Sequence, residues 1–103
     1  MLCASFQIHV EDASYDHHGF RPWRLVALTL KALRRLRPHY PLWRDFPYEY
    51  VNHRLAFDVI NGSDLLRAWV DDAEAMPADL EAVTAPDEAA WRAERREVLL
   101  YED

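Results

Sequence analysis

The chain has 103 residues, enough for one domain spanning 1–103 and too few for two independent cores. Hydrophobic residues make up 50%, aromatics 13% and charged residues 29%, which excludes a disordered tail, a collagen-like repeat or a low-complexity segment. The net charge of −6 argues against general nucleic-acid affinity, and no apolar run approaches the ~20 residues of a membrane span.

Cys3 is the only cysteine, so neither an intrachain disulfide nor a C-x-x-C metal or redox motif is available. The N-terminal segment turns charged too early for a signal peptide, and the chain as written reads as cytoplasmic. Phe6, Ile8 and Val10 alternate with Gln7, His9 and Glu11, the period of a strand with one face buried. A polar loop follows and ends at Gly19.

From Pro22 to about residue 37 the spacing predicts a helix. Trp23, Val26, Leu30 and Leu33 form an apolar stripe, and Arg24, Lys31, Arg34 and Arg35 lie on the opposite face. Pro22 suits the first turn, and Pro38 and Pro41 forbid continuation. The aromatic segment from Leu42 to Val51 reads as a short edge strand or an extended segment, because Pro47 excludes an unbroken central strand. Residues 55–60 fit a strand or a short helix equally well. Ser63 is placed to cap a helix running to about Asp71, an acidic helical stretch begins near Pro77, and Thr84 with Asp87 resembles a capping box opening a terminal helix. The closing Val98–Tyr101 is apolar enough to dock on the body. The resulting expectation is an α+β fold: a small antiparallel sheet with one long amphipathic helix and two to three shorter helices.

Five histidines do not adopt metal-ligand spacing, and no nucleophile-elbow motif surrounds a serine, so no metal, cofactor or catalytic triad is expected. Glycosidases need two carboxylates flanking the scissile bond. Glu49, between Tyr48 and Tyr50, and Asp58, between Phe57 and Val59, are the carboxylates in apolar settings. Their plainer alternatives are a surface position for Glu49 and a capping or salt-bridged group for Asp58. Every charged residue from Arg21 to Arg44 is positive. That run reads either as a solvated face balancing the acidic stretch from Asp71 to Glu88, or as a nucleic-acid contact through Lys31 to Arg37. The aromatic run from Tyr40 to Tyr50 divides between core packing and a partner surface.

Taken in order, Cys3 with FQIHVED, Phe20-Arg21-Pro22 opening a helix that ends ALRRLRP, LWRDFPYEY, FDVINGSDLLRAW and the closing VLLY resemble the C-terminal portion of the NamZ-type exo-β-N-acetylmuramidases nearly end to end. Leu25, Val26 and Asn61 depart from the small residues usual at those places. The resemblance implies an accessory domain that completes the cleft of a Rossmann-like catalytic domain, whose catalytic glutamates have no counterpart in this sequence. Members commonly act in the cell envelope on peptidoglycan fragments. The expected partners are that catalytic domain or a muropeptide, contacted through Arg21, Tyr48, Glu49, Tyr50 and Asp58. The alternatives are a module that self-associates through the face the catalytic domain would cover, or a small nucleic-acid-binding protein.

Overall fold

The computed structural model describes residue 5, residues 7–10 and residues 13–101. Four α-helices follow in order: α1 (Pro22–Leu36), α2 (Ala56–Asn61), α3 (Leu65–Asp71) and α4 (Leu80–Arg95), with a short 3₁₀ turn over Pro77–Asp79 leading into α4. Among the described residues the only β pairing is an isolated antiparallel bridge between Tyr48 and Val51. The α+β expectation is therefore corrected to a helical fold. A sheet needs neighbouring strands to satisfy its backbone. The alternating segment at residues 7–10 meets none, with Phe6 and Glu11 outside the described residues, and Pro47 interrupts the aromatic segment.

Residues 56–61 resolve as helix. Asp58 sits in the favourable first turn. Gly62 ends the helix in the left-handed region at φ 88°, with its N–H donating to the Val59 carbonyl at 3.3 Å, a conformation available to glycine at little cost. Asp64, not Ser63, occupies the N-cap of α3 and makes no side-chain capping bond. Thr84 does not open a helix either. It lies inside α4, which runs unbroken through Pro86, and its hydroxyl donates back to the Glu81 carbonyl at 3.4 Å. The 3₁₀ turn supplies the start instead: its Asp79 carboxylate accepts the Met76 N–H at 2.6 Å.

The core is small. Ala27 of α1, Leu66, Trp69 and Val70 of α3 and Leu80 of α4 are buried together, with Leu42, Trp43, Phe57 and Val83 packed partly against them. The Trp43 and Phe57 rings lie 4.5 Å apart at 43°, so part of the aromatic run does serve the core. The Trp43 indole N–H donates to Asp71 Oδ2 at 2.8 Å, and Arg34 Nε donates to Asp71 Oδ1 at the same distance. Arg34 also donates to the Pro38 and Tyr40 carbonyls, fastening the loop that follows α1.

Helix α1 docks the opposite way round from the sequence expectation. The positions turned inward are Ala27 and Lys31, 0% and 2% exposed. The apolar stripe looks outward: Trp23, Val26, Leu33 and Leu36 are 41%, 54%, 39% and 72% exposed, and only Leu30 of the stripe packs against the core. The charged side chains find partners on neighbouring elements. Arg24 pairs with Glu81, Arg34 with Asp71, and Arg35 Nη2 lies 3.5 Å from the Ala75 carbonyl. Lys31 Nζ donates to the carbonyls of Trp69 at 2.7 Å and of Asp72. The expected balance between the basic run and the acidic stretch is thus realised as direct intramolecular contact.

The tail does not dock as expected. Val98, Leu100 and Tyr101 are exposed. The radius of gyration is 16.7 Å, well above the ~13 Å of a compact domain of this length.

Candidate functional site

The five residues singled out in the sequence fall in three separate places. Arg21 caps the start of α1, and its guanidinium donates to the carbonyls of His18 and Phe20. Tyr48, Glu49 and Tyr50 form a tight turn. Asp58 lies on α2. No hydrogen bond or ion pair joins these three places among the described residues.

The turn is closed by two reciprocal bonds, Tyr48 N–H to Val51 O at 3.1 Å and Val51 N–H to Tyr48 O at 3.0 Å. Glu49, at its apex, has φ 51°. This is the left-handed region, where a side chain crowds its own backbone at a cost of roughly 1–2 kcal/mol. The strain holds the Glu49 carboxylate and the fully exposed Tyr50 ring out from the body. Glu49→Gly is expected to raise stability by about 0.5–1 kcal/mol, the relief of strain outweighing the added freedom of the unfolded chain. Thermal unfolding checks this, and a fall in melting temperature would mean that the carboxylate stabilises the turn.

Asp58 is 5% exposed and its carboxylate accepts three bonds from Arg67 of α3: Nε to Oδ1 at 2.9 Å, Nε to Oδ2 at 3.0 Å and Nη2 to Oδ2 at 2.8 Å. The bond to Asp58 raises the Arg67 pKa further above its ordinary value. Around the pair opens a shallow cleft of about 560 Å³ that includes His53, Arg54 and Asp64. Of the two plain readings of Asp58, the salt-bridged one holds. A carboxylate so engaged ties α2 to α3 across the Gly62 corner.

Two further depressions lie between the start of α1 and α4, the second walled also by Asn61, Ser63 and Leu65. They measure about 390 and 300 Å³ and share Trp23, Thr84 and Glu88 as walls, so together they form one groove. Arg21 lies at its edge. Sequence reasoning counted Trp23 only as part of the apolar stripe, noted Asn61 only as a departure from the family, and did not single out Arg67. Periodicity does not reveal these roles, because they depend on how α1, α2 and α4 are set against each other. Among the described residues no three His, Cys, Asp or Glu side chains gather as a metal ion would require, and no helix is long and apolar enough to cross a membrane.

Fold and surface together define a small helical domain that carries polar clefts and an uncovered apolar helix face. The family model described as exo-beta-N-acetylmuramidase NamZ, C-terminal, matches residues 1–101, and the chain belongs to that family. No curated protein and no solved structure matches it.

Proposed function

We propose that the chain is the accessory domain of a peptidoglycan-degrading exo-β-N-acetylmuramidase, packing against the catalytic domain and contributing no catalytic group of its own. The observation that carries this reading is the orientation of α1. A helix on the surface of a self-sufficient domain turns its apolar face inward. Here Lys31 takes a buried place beside Ala27, while Val26, Leu33 and Leu36 look out. Exposed apolar area of that kind marks a surface another protein covers, and the open shape of the chain points the same way. Burial of each of these side chains contributes on the order of 1 kcal/mol to the association. The catalytic domain is the natural occupant, whether carried in the same polypeptide or in another.

The test is binding to the catalytic domain of a family enzyme, with and without the double substitution Val26→Glu and Leu36→Glu. Both positions are exposed, so helical circular dichroism should not change, while affinity should drop by at least about tenfold, since a desolvated charge at a buried contact is costly. The isolated chain should not hydrolyse a chromogenic N-acetylmuramide. Turnover by the chain alone, or equal binding by the double variant, would sink the reading. Self-association lost on the same substitutions, without binding to the catalytic domain, would assign the face to a second copy instead.

A further inference from the structure

The groove between α1 and α4 has a composition that selects one kind of ligand. Each of its two depressions reaches the lower part of the range of small-molecule sites, about 300–1,000 Å³. One wall is the Trp23 indole, 41% exposed. Its ring is tethered to another wall of the groove: the indole N–H donates to Asn61 Oδ1 at 3.2 Å, and Asn61 Nδ2 in turn donates to the Ser63 carbonyl at 3.5 Å. Among the described residues no other ring and no guanidinium stacks on this indole, so an aromatic face stays open to the groove.

The charges of the groove cancel. Arg24 is paired with Glu81, and Arg92 Nη2 with Glu88 Oε2 at 3.2 Å. That leaves one cation, Arg21, and one carboxylate, Asp87, both lining residues. A groove with no net charge does not concentrate anions. Paired guanidinium and carboxylate groups still have N–H donors and lone pairs to offer, and hydroxyls on a ligand can use both. An apolar face to lie on the indole, a rim of hydroxyls and no net charge together describe an uncharged pyranose.

We propose that this groove binds an uncharged sugar unit of a glycan, with one face of the pyranose on Trp23 and its hydroxyls on the Arg92–Glu88 and Arg24–Glu81 pairs. The proposal rests on the reading of the chain as part of a glycan-cleaving enzyme for the kind of polymer. It goes further in assigning to this chain a unit other than the acidic N-acetylmuramic acid.

The test is an amide NMR titration of the chain with chitotriose, an uncharged N-acetylglucosamine oligomer, with N-acetylmuramic acid and inorganic phosphate as charged probes. No catalytic domain is present, so failure of domain packing and failure of sugar binding are read separately. Chitotriose should shift the Trp23 indole and Asn61 side-chain signals with a dissociation constant of about 1 mM, and the charged probes should bind more weakly. Trp23→Ala should weaken chitotriose binding at least about tenfold. Trp23→Phe, which keeps a ring and its packing, should fall in between with an unchanged amide spectrum elsewhere. Shifts centred outside the groove, tighter binding of either charged probe, or full binding by Trp23→Ala would overturn the proposal.

Discussion

Arg67→Met is expected to lower the unfolding free energy by about 3 kcal/mol, the lower end of the cost of breaking a buried ion pair. The lower end applies because the Arg67 side chain is 28% exposed while that of Asp58 is 7% exposed. Removal of the guanidinium takes away all three bonds to the Asp58 carboxylate. The neighbouring Arg54 does not replace them, since its guanidinium donates to the Asp58 main-chain carbonyl at 3.3 Å. Asp64, whose carboxylate lies 4.0 Å from Arg67, would add a second negative charge to the vacated corner. Most of the loss should therefore be recovered by Asp58→Leu in the same chain, because a well-packed apolar pair is close to neutral against an ion pair. Urea denaturation of the two single variants and the double variant checks this. A loss from Arg67→Met below about 1 kcal/mol would place the pair with exposed salt bridges, which contribute little, and α2 would then be held to α3 by packing alone.

The double variant also separates structure from function at Asp58. If its carboxylate only ties α2 to α3, the apolar pair should leave binding to the catalytic domain intact. Loss of that binding in a stable double variant would return Asp58 to the interface the sequence suggested.

Helix α1 shows where sequence reasoning reaches and where it stops. Its ends were legible, because Pro22 suits a first turn and Pro38 ends a helix whatever surrounds it. Its two faces were legible from spacing. Which face turns inward was not, because periodicity reports that a helix is two-sided and is silent on what the core offers it. Here α3 is only seven residues long, so most of its carbonyls lie in the last turn without helical partners, and Asp71 and Asp72 stand beside them. That end of α3 draws Lys31 and Arg34 in, and the apolar stripe turns out.

The expected sheet failed for a related reason. Strand signals at residues 7–10 and at Leu42–Val51 are local, whereas a strand exists only if a second one lies beside it. Pro47 and the strained Glu49 turn leave just one bridge. At Ala56–Asn61, the Gly62 cap and the Asp58–Arg67 bonds favour helix, and the latter depend on a residue nine positions on. The candidate site was legible in part for the same cause: Arg21 was named, but its groove exists only once α4 passes beside α1.

Lys31→Met is expected to cost about 2 kcal/mol at neutral pH, the penalty of leaving buried carbonyls without a donor. The ammonium group bonds the Trp69 and Asp72 carbonyls, lies 3.5 Å from that of Val70, and sits 5.0 Å from the centre of the Trp69 ring. Methionine keeps the stem and fills similar space but donates nothing, so the C-terminal end of α3 loses its cap while the core keeps its volume. The cost has a pH dependence whose sign follows from burial. Desolvation, helped by Arg35, lowers the Lys31 pKa from its ordinary 10.5 against the opposing pull of Asp72, Asp71 and Asp79. Between the lowered folded value and 10.5 the unfolded chain holds the extra proton, so stability from this group rises with pH across that window. It is complete above 10.5 and declines as pH falls through the folded value. The gap between wild type and Lys31→Met, measured by urea denaturation at pH 7 and pH 10, should therefore widen at the higher pH. A gap that narrowed would mean that Lys31 is held mainly by its charge, through Asp71 and Asp72, and that the inward turn of α1 is an ion-pair effect instead of a capping one.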